Sequence, residues 1–163
     1  MSLPRSKPIH CLTPLLLLTG CASLGVGLHP DGSPGPQKCP EKALETMRIL
    51  RLRVGDSASV ELDINQTDDS PIRLYDGPVE SMLNDNLGLL DPPTRLYGQV
   101  WTGGPQVVIR YYEAKAMNSE TTIAICAVAR LGNGQFKKLP GSVPGMAILE
   151  FSRAGVYIVD SFR

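Results

Sequence analysis

Histidine is almost missing from this chain. Of 163 residues two are histidine, His10 and His29, and none follows position 29. Ser-His-Asp and Cys-His nucleophilic machinery both need an imidazole as base, so neither can operate in the body of the chain. Zinc catalysis draws on the same side chain. Four cysteines, two of them within the first 21 residues, do not make a metal-ligand set either. A long hydrophobic run is also missing. A membrane-spanning helix needs about 20 apolar residues, whereas "CLTPLLLL" at 11–18 is short and interrupted by Pro14. There is no basic stripe of the kind nucleic-acid binders carry, so no nucleic-acid partner is expected.

The first forty residues have an order of their own. Arg5 and Lys7 precede the apolar stretch, and no acid occurs before Asp31. A basic region followed by a short apolar one is the layout of a secretory signal peptide. The stretch ends in Leu18-Thr19-Gly20-Cys21, which resembles the lipobox of bacterial lipoproteins: a branched apolar residue, two small residues, then cysteine. In that family a diacylglycerol is attached to the cysteine sulfur and the chain is cut just before it. The resemblance implies residues 1–20 as signal peptide, with Leu18, Thr19 and Gly20 as the cleavage motif. It implies Cys21 as a lipidated, palmitate-bearing N-terminus. The alternative is an ordinary signal peptide whose cleavage site contains a cysteine. Ala22 and Ser23 follow where an aspartate would imply retention, and that pattern implies delivery to the outer membrane, facing the periplasm. Two or more acyl chains anchor stably where one does not, so the body needs no span of its own.

Residues 22–40, "ASLGVGLHPDGSPGPQKCP", are rich in Gly and Pro and show no hydrophobic period. They read as a tether that holds the domain off the membrane; the other reading of "PDGSPGP" is a motif with a binding role. The domain organisation is therefore 1–20 signal, 21–40 lipidated cysteine and tether, and 41–163 a single domain. Removing Arg5 and Lys7 leaves fourteen basic residues against sixteen acidic ones, a net charge of about −2. Cys39 and Cys126 remain in an oxidising compartment, where disulfides persist. A bridge between them contributes about 4 kcal/mol on the chain-entropy model; the alternative is two free thiols.

In the body, "CPEKALETMRIL" reads as one short helix, with Pro40 in the first turn and Ala43, Leu44, Met47 and Leu50 on one face. After it the period changes to two. "SASVELDI" alternates Ala58, Val60, Leu62 and Ile64 against Ser59, Glu61 and Asp63, a half-buried strand. "IRLY", "RLYGQVWT" and "QVVIRYYEA" read as strands, the last two joined through Gly103-Gly104-Pro105. "VESMLNDNLGLLDPP" is ambiguous: it reads as a short helix, as a strand and loop, or as both. "TTIAICAVARL" reads as a strand buried on both sides, and Asn133-Gly134 predicts a hairpin to "QFKKL". "MAILEF" and "AGVYIVDSF" are expected to pair. The fold class is all-β, a small sandwich or barrel of about seven to eight antiparallel strands, with the N-terminal helix over an end or an edge.

"YDGPVES" followed by "PPTRLYGQVWTGGPQVVIRYYEA" resembles the β-domain of conjugation and type IV secretion channel proteins. Thr94, Arg95, Leu96 and Gly98 match that family's strand motif, while Pro93 stands where the family has glycine. The chain also resembles uncharacterised small lipoproteins of myxobacterial type. Neither resemblance implies an activity.

Chemistry-bearing patterns are few. "DINQTDD" places oxygens at alternate positions but lacks the glycine and closing glutamate of a calcium loop, so it reads as a turn. Glu61, Asp63, Glu80, Glu113 and Glu150 sit mostly at outward strand positions. Tyr97 and Trp101 share one face of a strand, and Tyr112 with Arg110 is expected alongside across the hairpin. An aromatic face with an arginine is typical of binding hot spots; the competing reading is plain packing with Arg110 stacked at the edge. The sequence thus points to a lipid-anchored cell-envelope protein without catalytic activity, cofactor or metal. Its β domain would act as an interaction or structural module for an envelope protein or cell-wall partner. Two alternatives remain: a small-molecule or lipid-binding barrel, and a carboxylate hydrolase acting on envelope glycans.

Overall fold

A computed structural model describes residues 25–132 and 134–163. Residues 1–24, with the segment read as a signal peptide, Leu18, Thr19 and Gly20 read as its cleavage motif and Cys21 read as the lipidation site, lie outside the described residues, as does Asn133. In chain order the elements are β1 (Gln37–Lys38), α1 (Glu41–Ile49), β2 (Ser57–Glu61), β3 (Ile72–Tyr75), β4 (Gly77–Leu83) and β5 (Arg95–Trp101). They continue with β6 (Gln106–Lys115), β7 (Ile123–Arg130), β8 (Phe136–Lys137), β9 (Met146–Leu149), β10 (Arg153–Ile158) and β11 (Ser161–Phe162).

Six strands close into an antiparallel barrel in the order β5-β4-β2-β10-β7-β6, with β6 returning to β5 and β8 added along β6. Closure removes the free edges that an open sheet presents. Alternation along each strand sends one set of side chains inward. Val60, Leu83, Leu96, Val100, Ile109, Tyr111, Ile125, Ala127, Ala129, Val156 and Ile158 are buried on that set. The Ser81 hydroxyl donates to the Leu62 carbonyl at 2.6 Å, which leaves its oxygen to accept from the Tyr111 hydroxyl at 2.7 Å. Burial raises the Tyr111 phenol strongly, so it stays a neutral donor. The Tyr111 ring fits because Gly98, facing it across the β5–β6 pair, carries no side chain. A methyl there would collide with the Arg110 carbonyl oxygen and come within 2.8 Å of the ring.

β7 is the twice-covered strand that its apolar run predicts, buried from Ile125 to Ala129. Its inner residues fill the barrel, and α1 lies on its outer face with Ala43 and Met47 buried. The helix therefore covers a barrel wall, not an end or an edge. The reason is the bridge from Cys39, just before α1, to Cys126 on β7, with Cα atoms 6.1 Å apart. The ambiguous segment after Asp76 resolves into strand β4, entered through Gly77 at φ 126°, a conformation that favours glycine.

Pairing departs from expectation in three places. Leu131 and Gly134 exchange two backbone hydrogen bonds and close the predicted tight turn. The chain beyond it nevertheless leaves β7, and β8 pairs with β6 so that Phe136 is buried opposite Val107. β9 pairs with β3 in a separate two-stranded ribbon, while β10 runs between β2 and β7. From residue 25 on, the segment read as a tether is folded onto the barrel. Gly35 donates to the Gly27 carbonyl at 2.7 Å, Leu28 bridges Pro34, and β1 pairs with β11 at the C-terminus.

Candidate functional site

The outer face of β5 and β6 carries the aromatic residues singled out above. Tyr97, Gln99 and Trp101 alternate outward on β5. Opposite them the register shifts: Tyr97 faces Glu113 and Gly98 faces Tyr111, so Tyr112 is the extra residue of a bulge. A bulge re-aims side chains next to it. Here Tyr112 and Glu113 both come to the outer side and, with Tyr97, Gly98, Gln99 and Trp101, floor a groove of about 550 Å³. Val26 and Leu28 from the folded N-terminal segment line it as well. Of the residues read as a possible binding face, Tyr97, Trp101 and Tyr112 line this one groove.

Arg110 has a different role from a binding residue. It is 1% exposed, lies on the outer side of β6 and is roofed by the N-terminal segment. Its guanidinium donates to the Gly35 carbonyl at 2.9 Å and the Pro34 carbonyl at 3.3 Å. Trp101 and Phe162 flank it, with ring centroids 5.5 and 5.1 Å from Cζ. A desolvated cation over aromatic rings gains from the ring quadrupole. Burial lowers the Arg110 pKa, though guanidinium remains charged. Arg110 thus fastens the strap that forms the wall of the groove. The Tyr112 hydroxyl adds a second fastening, donating to Gln37 Oε1 at 3.0 Å, and its ring packs edge-on against Phe162 at 5.2 Å.

The groove's electrostatics are mild. Tyr97 donates to Glu80 Oε1 at 3.4 Å, and Arg95 lies 3.8 Å from the same oxygen. Burial, and then the neighbouring Glu80 charge, raise the Tyr97 pKa. The two phenols in the groove are therefore neutral donors already engaged with protein acceptors. What remains is apolar area, the Gln99 amide and the Glu113 carboxylate, a set suited to contact and hydrogen bonding. Elsewhere Glu61, read as an outward residue, is 2% exposed and paired to Arg153, which also reaches Asp68. Among the described residues no group of three or more His, Cys, Asp or Glu side chains is arranged to hold a metal ion. No described helix is long and apolar enough to cross a membrane.

Gln99 was not singled out in the sequence, although period two puts it on the same face, between Tyr97 and Trp101. Glu113 was not legible as a groove residue, since only the bulge turns it to the same side as Tyr112. Val26, Leu28 and Phe162 carry no local signal; they reach the site through the fold of the two termini. Thr94, Leu96 and Gly98, read in the sequence as resembling a secretion-channel strand motif, are placed for packing: Thr94 and Leu96 are fully buried and Gly98 accommodates Tyr111. No protein-family model matches the chain, and no curated protein or solved structure matches it significantly.

Proposed function

We propose that this is a lipid-anchored protein of the bacterial cell envelope whose barrel is a non-catalytic contact module. The anchor reading rests on Leu18-Thr19-Gly20-Cys21 after a basic and apolar leader, and Ala22-Ser23 favours the outer membrane. The observation that carries the contact role is the groove itself. Three aromatic side chains point out of a closed barrel whose inward side chains are buried, and the described part of the N-terminal strap covers only part of that aromatic face. Amphipathic rings left half-exposed in a concave surface are the usual anchors of recognition.

The competing reading as a ligand-carrying barrel is opposed by Tyr111, Leu96, Ile109, Ile125 and Ile158, all fully buried inside. A ligand would have to displace them. Hydrolysis by paired acids loses two of its candidates, because Glu61 is held by Arg153 and Glu80 by Arg95 and Tyr97.

The test uses the full-length chain in a bacterial host. Labelled palmitate should enter the native protein and not Cys21→Ser, and the native protein should fractionate with the envelope. A photoreactive side chain at position 99 should give adducts to an envelope component that Trp101→Ala abolishes. An unlabelled protein in the cytosol would overturn the reading.

A further inference from the structure

We infer that the aromatic groove rests on the surface of the bilayer that carries the anchor, with Leu28, Tyr97 and Trp101 in its headgroup layer. This rests on the lipid-anchored reading above and names what the groove contacts.

The argument begins with chain length. Read as a tether, residues 21–40 extend roughly 65 Å, enough to lift the domain clear of a membrane. The fold consumes most of that length. Gly27 is already hydrogen-bonded to Gly35, and Val26 lines the groove. Only five residue steps separate Cys21 from Val26, and fully extended they span at most about 18 Å. The groove's own wall is thus tied within that distance of the residue that would bear the lipid. An interfacial element seats about 5–10 Å into the boundary between headgroups and acyl chains, so the reach is sufficient for contact and too short for much separation.

The chemistry of the surface agrees. Trp and Tyr concentrate at membrane interfaces because one end of the ring is apolar and the other is wet. Leu28 on the rim is 59% exposed, and Met117, in an adjoining cleft beyond Tyr97, is 70% exposed. Glu80, Arg95 and Lys115 line that same cleft; Arg95 is paired with Glu80, so Lys115 is the cation that it offers to anionic headgroups. Apolar side chains at the rim, aromatic rings in the floor and a lysine at one end make a surface for a lipid interface.

The chain has a single tryptophan, and it is Trp101; its fluorescence therefore reports on the groove alone. The full-length protein, with acylation of Cys21 verified by intact mass, is reconstituted in phosphatidylethanolamine–phosphatidylglycerol vesicles. Matched vesicles carry spin-labelled acyl chains with the label near the headgroups. Shallow label should quench Trp101 roughly twofold, and label at the bilayer centre much less, given the interfacial depth above. Leu28→Glu, at a side chain 59% exposed, should weaken the quenching while the protein stays vesicle-bound. If acylated, vesicle-bound protein shows equal Trp101 emission in labelled and unlabelled vesicles, the inference falls and the anchor stands. If Cys21 is unmodified, both fall. Protection of Trp101 that rises with protein concentration, together with a dimer on sizing, would assign the groove to a second copy and overturn the inference.

Discussion

The two faces of the β5–β6 pair share one backbone and differ in almost everything else. Inward, Leu96, Gly98, Val100, Ile109 and Tyr111 meet side chains from the other barrel strands, and the one hydroxyl there finds Ser81. Outward, Arg110 and Tyr112 are bonded to the N-terminal strap, while Tyr97, Gln99 and Trp101 are only partly covered by its described residues. The strap closes over Arg110, which can be buried because two carbonyls and two rings replace water. Its described part, from residue 25 on, leaves Tyr97 and Gln99 partly exposed. The covered half serves the fold, and the half left open among the described residues is the face on which the proposed contact role rests. The difference teaches that aromatic content alone does not mark a binding face; what matters is which rings the chain's own segments have already used.

The most severe way to break that comparison is to release the strap. The Cys39–Cys126 bridge closes a separation of 87 residues and holds the strap's end to β7. Its loss should remove about 4 kcal/mol on the chain-entropy model and lower Tm by roughly 10–15 °C for a chain of this size. Thermal melts with and without reductant measure this; an unchanged melt, with two titratable thiols in the native protein, would show that the bridge does not hold the fold.

Next comes the rivet itself. Arg110→Ala leaves two strap carbonyls without donors and removes the stacked cation, a loss of about 2–4 kcal/mol. Gln99→Ala, one strand away in the open half, should change stability by less than about 0.5 kcal/mol. Urea unfolding of the two variants sharpens the contrast, and equal effects would erase the division between the halves. Inside the barrel, Gly98→Ala forces a methyl against the Arg110 carbonyl and the Tyr111 ring. Overpacking of that kind costs about 1–3 kcal/mol. A variant as stable as the parent would mean that β5 and β6 can separate locally without penalty.

Much of the inner face was legible because it depends on local alternation. Period two placed β2, β5 and β6, and the apolar run "TIAICAVA" marked β7 as the strand covered on both sides. Partner choice was not legible. β8 follows the tight turn it was expected to follow, yet pairs with β6 because Phe136 finds its burial beside Val107. The strap was hidden for the same reason. Gly and Pro carry no hydrophobic period, and Pro34 and Gly35 are buried through Arg110, a residue 75 positions away from Gly35. Arg110 illustrates both sides of the problem. Its face and its aromatic neighbours could be read from the strand pattern, whereas its partners could not.

The smallest effect concerns a second covered charge, one that the barrel itself neutralises. Glu61, on the outer side of β2, is 2% exposed and meets Arg153 of the neighbouring strand β10, where Arg110 meets only carbonyls and rings. Burial by itself would raise the Glu61 carboxyl, but hydrogen bonds from Arg153 and Ser152 and the Arg153 charge outweigh it, and the pKa is held below the ordinary glutamate range. A carboxylate depressed on folding stabilises the native state above its unfolded pKa, near 4.3, and that stabilisation is lost as pH falls through the folded value. Arg153 is itself more than half exposed, so solvent screening limits the effect to about 1 kcal/mol. Glu61→Gln should therefore unfold at lower urea than the parent at pH 7, and the gap between them should close toward pH 3. A gap that stays constant across that range would mean that Glu61 contributes by packing and not by charge, and that the barrel's outer face tolerates a buried carboxylate as neutrally as the strap tolerates Arg110.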